Sequence, residues 1–201
     1  MRASICIVSG TLRGRKLDFT VSEEMRPTPQ RVREAYFSIM GNAIPGRGFI
    51  DLFAGTGVMG LEALSRGAST ATFVERDAEN AKDIEKYARA FGVLRQTKLF
   101  RTDTYRWIAA WRAPVEPVSV FLSPPFSDLT TKTDDLIATL QILQAKVAED
   151  SVIVVQSETG SPLLELDFFK TWELRRYGRN ELLIWQRAIT TEADLKDSAE
   201  G

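Results

Sequence analysis

The sequence predicts an α/β protein built on a mostly parallel sheet with helices on both faces. Three observations carry this expectation. Short apolar runs at 49–53, 70–75, 97–101, 118–122 and 152–156 alternate with stretches of helical periodicity, the signature of consecutive strand–helix–strand units. Glycines 55, 57 and 60 follow the first run directly, as in a strand–turn–helix cradle. Polar residues close the runs at Glu75, Asp103 and Ser123, so they converge beyond the C-terminal strand ends, where ligands bind in such sheets.

In chain order, residues 3–9 and 16–21 are β-type runs joined through Gly10 and Gly14, which reads as a hairpin. Arg13, Arg15 and Lys16 cluster near its tip, either gripping phosphates or forming a solvated turn. Residues 22–28 form a loop. Thr28 as N-cap and Pro29 at the first helical position then start a helix. Val32, Ala35, Ile39 and Met40 share one face of it, and Gly41 closes it. Arg31 and Arg33 lie off that stripe and are assigned, with the hairpin tip, to a nucleic-acid face.

The run through Asp51 and Phe53, the glycine turn and a helix over 61–66, stopped by Gly67, form the cradle. Glycine accepts positive φ and leaves no Cβ in the way. The helix start offers free N–H groups and a positive dipole end. Gly55-x-Gly57-x-x-Gly60 also satisfies the dinucleotide fingerprint, with Glu75 spaced to hold a ribose, and an ordinary tight turn is the bland reading. Asp51, four residues before Gly55, moves the weight to S-adenosylmethionine (SAM). A carboxylate there suits the cationic amino end of SAM and repels a pyrophosphate.

Asp77 caps a helix over 77–91 that Gly92 ends, and the strand 97–101 precedes Asp103 and a helix over 105–111. The buried run 118–122 leads into Ser123-Pro124-Pro125-Phe126, then a polar loop 127–132 and a helix to Ala148. After the strand 152–156, runs 173–177 and 182–186 form a hairpin around Gly178-Arg179-Asn180, and 190–201 reads as a frayed polar tail. The domain division is a hairpin extension over 1–22, one body over 23–189 and the tail.

Each site residue has a chemical role. Glu75 would accept from ribose hydroxyls. Asp103 would accept from the adenine amino group, cap the next helix, or do both. Asp51 would orient the methionine amino group. The two prolines remove N–H donors and leave carbonyls free to accept. An exocyclic base amine, a double donor, fits between the Ser123 hydroxyl and a carbonyl near Pro124, with Phe126 stacked on the base. Alignment and desolvation then suffice; the nitrogen's proton leaves once it gains positive charge.

Composition narrows the chemistry. The chain has no His and one cysteine, Cys6. Imidazole catalysis, an internal disulfide and a soft-ligand metal site are thereby set aside, and no metal is expected. No apolar stretch approaches a membrane span, and the start lacks a signal-peptide core; a cytoplasmic monomer is expected. Residues 1–50 hold eight Lys/Arg against four Asp/Glu, whereas the remainder holds 18 against 23. That asymmetry fits one basic face for a polyanion, or random surface charge.

Four blocks now carry a resemblance: Gly14-Arg15-Lys16-Leu17; Arg26-Pro27-Thr28 with Arg31-Val32-Arg33-Glu34-Ala35; Asp51-Leu52-Phe53-Ala54-Gly55-Thr56-Gly57; and Gly60-Leu61-Glu62-Ala63-Leu64-Ser65-Arg66-Gly67-Ala68. Together with Tyr177-Gly178-Arg179 they resemble the RsmD family over about residues 8–187. The resemblance implies a class I SAM-dependent methyltransferase fold, Rossmann-like, with seven strands, the last antiparallel, and an N-terminal hairpin. It implies methylation of guanine N2 in bacterial 16S ribosomal RNA or the assembling small subunit. It implies SAM binding by Phe53, the glycine loop at Gly55 and Gly57, Glu75 with Arg76, and Asp103 with Thr104. Thr28 and its neighbours would cover the cofactor, and the basic hairpin would meet RNA.

One position departs: the family usually has Asp or Asn where this chain has Ser123. Serine also occurs there among amino-methylating enzymes. Replacing a charge-assisted acceptor costs about 1.5–3 kcal/mol, or about one to two decades in rate. Amino methylation of another RNA or DNA base, and RNA binding without catalysis, are the competing functions.

Overall fold

The computed structural model describes residues 2–20 and 27–189. Arg26 of the Arg-Pro-Thr block and the expected tail at 190–201 lie outside the described residues. β1 (Arg2–Cys6) and β2 (Lys16–Thr20) pair antiparallel as the expected hairpin. The main sheet has seven strands: β3 (Gly48–Leu52), β4 (Thr70–Val74), β5 (Thr97–Phe100), β6 (Val118–Leu122), β7 (Val152–Glu158), β8 (Glu173–Tyr177) and β9 (Asn180–Gln186). Their order is β5-β4-β3-β6-β7-β9-β8. β9 runs antiparallel to both its neighbours, and β3 to β7 pair parallel.

Strand alternation divides the core into two layers. Phe49, Phe73, Phe121 and Val154 pack with α1 (Gln30–Met40), α2 (Val58–Ser65) and α3 (Ala78–Ala90) on one face. Leu52, Val74, Val120 and Ile153 pack on the other face with α4 (Thr104–Ala110) and α6 (Thr133–Lys146). Both faces are covered at the central strand β6, which is why it reads as an unbroken buried run rather than an alternating one.

α2 is buried at all eight positions. Such a helix needs cover all round, and the hairpin supplies part of it. Leu12 N–H donates to Ser65 Oγ at 2.8 Å and Thr11 N–H to Ser65 O at 2.8 Å. Further along, Tyr87 of α3 brackets Asp18, its hydroxyl accepting from Asp18 N–H and donating to Asp18 O. The hairpin is therefore seated on the body.

Three local expectations are corrected. Thr28 does not cap α1: Pro29 occupies the N-cap position with extended backbone, and no side chain caps it. The buried face of α1 is Val32, Arg33, Tyr36, Phe37 and Met40, with Ala35 and Ile39 only half-buried. Residues 127–132 are not wholly loop, because α5 (Asp128–Thr131) forms there, with Asp128 N–H donating to Pro125 O at 2.9 Å.

Candidate functional site

The strand order reverses at β3, whose sequence neighbour β4 lies on one side and the later β6 on the other. Beyond the C-terminal ends there lies a cavity of ≈ 520 Å³. It gathers Thr28, Asp51, Phe53, Gly55, Glu75, Arg76, Asp103 and Thr104 with Ser123, Pro124, Pro125 and Phe126. Gly57, also assigned to the cofactor, does not line it. Its role is conformational: φ is +72°, and a Cβ would stand 2.7 Å from Ile84 Cγ1.

The turn is locked by carboxylates. Glu75 accepts from Gly55 N–H at 2.6 Å and from Asp77 N–H at 2.8 Å, one bond to each oxygen. Each oxygen keeps lone-pair capacity for a further donor. Asp51 accepts from Gly60 N–H at 3.0 Å. This satisfies an orphan donor in the first turn of α2, the task of an N-cap side chain. Burial pushes the Asp51 carboxyl well above its ordinary range; the Gly60 bond opposes the rise and the Glu75 charge adds to it. Phe53 holds φ +62° without being glycine, an uncommon conformation for a bulky residue that marks a constrained site. Its ring packs edge-on to Tyr105 at 5.5 Å.

Asp103 performs the capping half of its expected role. Its Oδ1 accepts from Tyr105 N–H at 2.9 Å and Arg106 N–H at 3.2 Å, which leaves Oδ2 for a ligand in the cavity. Across the cavity, not every expected carbonyl is free. Pro125 O accepts from Asp128 N–H and Phe126 O from Leu129 N–H at 3.1 Å. Among the described residues no donor reaches Pro124 O, so it and the Ser123 hydroxyl remain as the acceptor pair. Phe126 is 39% exposed at the rim.

The sequence reading missed a buried polar chain on this side. Thr28 Oγ1 donates to Gln156 Oε1 at 2.8 Å, and Gln156 Nε2 donates to Asn180 Oδ1 at 3.0 Å. All three line the cavity, tying the lead-in to α1 to the ends of β7 and β9. Ser157, also in the wall, is buried, and its hydroxyl has no partner among the described residues. The available signal was Gln156-Ser157 directly after the apolar run 152–155, the same pattern that singled out Ser123.

Comparison with known proteins gives the family. The family model described as conserved hypothetical protein 95 matches residues 5–186. The chain belongs to that family. Ribosomal RNA small subunit methyltransferase D of Escherichia coli K12 is 31% identical over 195 residues, 94% of this chain and 93% of that protein. The protein of the same name from Buchnera aphidicola (Acyrthosiphon pisum) is 29% identical over 158 residues, 78% and 79% of the two chains. The solved structure of yhhF from Escherichia coli superimposes with a TM-score of 0.75 at 29% identity, covering 94% of this chain and 100% of that one. An RNA methyltransferase from Salinibacter ruber, solved with S-adenosyl-L-homocysteine, shares the fold at TM-score 0.58 and 16% identity, covering 85% and 99%.

Against that family background the basic residues divide. Arg13, Arg15, Lys16 and Arg31 are exposed. The hairpin tip sits by Ser65, at the end of α2 away from the glycine turn. Arg33 is a correction: its side chain is 0% exposed and faces no polyanion. It donates to Glu62 Oε2 at 3.2 Å, Thr28 O at 2.8 Å and Cys6 O at 2.8 Å. Among the described residues no cluster of His, Cys, Asp and Glu is arranged for a metal, and no helix is long and apolar enough to cross a membrane.

Proposed function

We propose that this chain transfers a methyl group from S-adenosylmethionine to the exocyclic N2 of a guanine in small-subunit ribosomal RNA. The observation that carries the reading is the two-sided cavity. Carboxylates of Asp51, Glu75 and Asp103 stand on one side and the Ser123–Pro124 acceptor pair on the other. The relatives named ribosomal RNA small subunit methyltransferase D, matched over most of both chains, support the substrate class.

The residues present fit the cofactor. Asp103 Oδ2 and the spare lone pairs of Glu75 suit the adenine amino group and ribose hydroxyls, and Asp51 suits a cationic amine. Thr28 and Phe53 complete the walls. When bound, SAM supplies an electrophilic methyl on a sulfonium. The chain's own work is then positional. The Ser123 hydroxyl and Pro124 carbonyl accept from the target amine and orient its lone pair, Phe126 stacks on the base, and the bound base displaces water from the cavity. A chain without His loses nothing by this, since no strong base is needed. The same reading puts the protein in the cytoplasm as a monomer acting on 16S ribosomal RNA or the assembling subunit.

The test is nucleoside analysis of small-subunit RNA after incubation with the protein and labelled SAM. The expected product is N2-methylguanosine. Label appearing only in duplex DNA, or only on another base, would overturn the proposal.

A further inference from the structure

The sheet face that carries α4 and α6 is covered along only part of its width. Strand register sets Gly48 and Ile50 of β3 beside Thr70 and Thr72 of β4, and Thr72 beside Lys98 of β5. α4 has seven residues, a rod of about 10 Å. Its Ile108 packs with Leu52 and Val74 at the far ends of these strands. The near ends open into a groove of ≈ 1180 Å³ that shares no lining residue with the cofactor cavity.

One wall of the groove is an aromatic row. The Phe100 ring lies 5.6 Å from Trp107, which lies 5.7 Å from Trp111. Phe100 is 42% exposed on the edge strand β5. Three exposed cations, Lys98, Arg106 and Arg112, stand around the row, and none pairs with a described residue. Arg47, in the same lining, is paired with Asp150. Glu116 is the single carboxylate among the groove's described residues. Residues 51–189 hold 19 Asp/Glu against 17 Lys/Arg, so three free cations beside one carboxylate make the groove a local excess of positive charge.

Aromatic faces set among point cations match unpaired bases joined by phosphates. An apolar peptide would use the rings and strand the cations. A duplex would use the cations, but its bases are already stacked. We propose that this groove binds a single-stranded segment of RNA, with bases on Phe100 and Trp107 and phosphates on Lys98, Arg106 and Arg112. The proposal rests on the RNA-modifying reading and adds a second contact to it. α4 starts at Thr104 in the cavity wall and ends in the groove, so RNA held there is anchored through the element that flanks the cofactor end of the active site.

Tryptophan fluorescence tests this on the whole protein. Trp107 and Trp111 line the groove, whereas Trp172 and Trp185 pack together elsewhere as an internal reference. A single-stranded oligouridylate is expected to quench the emission, and a duplex of equal length is not. Three phosphate contacts give a slope of log affinity on log salt of about −2 for single strands. The variant Lys98→Glu/Arg106→Glu/Arg112→Glu should flatten that slope and weaken binding more than about tenfold. Phe100→Ala should weaken it about tenfold at unchanged slope. Calorimetric SAM affinity should stay the same in both, which also shows that they fold.

Equal oligonucleotide affinity in the charge-reversed variant would overturn the proposal. So would absent quenching in a protein that methylates RNA, or concentration-dependent self-association that buries the row. Intact quenching without methyl transfer to any RNA would instead sink the enzymatic reading and leave the groove standing.

Discussion

The Arg33 guanidinium meets the Glu62 carboxylate at 3.2 Å with both side chains at 0% exposure. Its other nitrogens hold Cys6 O at the end of β1 and Thr28 O before α1, while Arg66 closes the far side of Glu62 at 2.9 Å. One cation thus fastens the hairpin, the cavity's cover and α2. Burial lowers the Arg33 pKa and the Glu62 charge opposes the drop; an arginine stays charged regardless.

Arg33→Ala is expected to leave Glu62 with Arg66 as its remaining cation, to leave Thr28 O and Cys6 O without their donor, and to cost about 3 kcal/mol, the low end for breaking a buried pair. Denaturant unfolding measures the loss. RNA affinity of the protein that remains folded should be unchanged, because the side chain never reaches the surface. Arg33→Lys should recover only part of the loss, since one ammonium lacks the planar fork that serves three acceptors in fixed directions.

Ser123→Ala and Glu75→Ala should separate two halves of the reaction. Removing the Ser123 hydroxyl deletes one neutral acceptor, about 0.5–1.5 kcal/mol, so kcat should fall about three- to tenfold while SAM affinity holds. Glu75→Ala releases Gly55 N–H and Asp77 N–H together, and SAM affinity should fall first. Calorimetry beside single-turnover kinetics checks both. Parallel losses in the two variants would contradict the assigned roles.

Gly60→Ala tests the packing of α2 on the sheet. An added Cβ would collide with the Phe73 ring, whose own exposure is nil. Overpacking of this kind costs about 1–3 kcal/mol. The same shift pulls Gly60 N–H from Asp51, so weaker SAM binding should accompany the lower melting temperature.

Thr28→Val keeps the shape of the side chain and removes the donor to Gln156 Oε1. That oxygen is left unsatisfied in a buried setting, a penalty of about 1–3 kcal/mol. The expected readout is a raised KM for SAM with a smaller change in kcat, because the altered residue belongs to the cavity's cover.

The Asp51 carboxyl, held above its ordinary range by burial, ties stability to pH in a definite direction. Below the unfolded-state pKa both states are protonated and Asp51 has no effect. As pH rises from there through the raised folded-state pKa, the unfolded chain releases its proton first, so the ligand-free protein loses stability across that window. Asp51→Asn keeps an acceptor for Gly60 N–H and should remove this part of the slope, as thermal melts over a pH series would show. A cationic amine bound at Asp51 favours the ionised form. Wild-type binding of SAM should therefore release protons, measurable by calorimetry in buffers of different ionisation enthalpy.

Much of this architecture was legible in the sequence. Short apolar runs, and for the last two strands the turn at Gly178-Arg179-Asn180, located every strand of the main sheet, and Gly55, Gly57 and Gly60 located the cradle, because backbone demands and burial leave a local record. What stayed hidden was long-range pairing. Arg33 looked solvent-facing since only a charge 29 positions away justifies burying it. Thr28 looked like a helix cap because its true partner, Gln156, lies 128 positions downstream. α5 escaped because four residues carry too little periodicity to read.

The reversal of strand order at β3 sorts the cavity by chain segment. On the proposed reading, the carboxylates assigned to the cofactor come from residues 51–103 and the groups assigned to the target base from 123–126. Donor handling and acceptor choice are thereby assigned to separate stretches of the chain. An exchange of the later segment between family members would retarget the enzyme to a different nucleobase while its appetite for SAM stayed as it was.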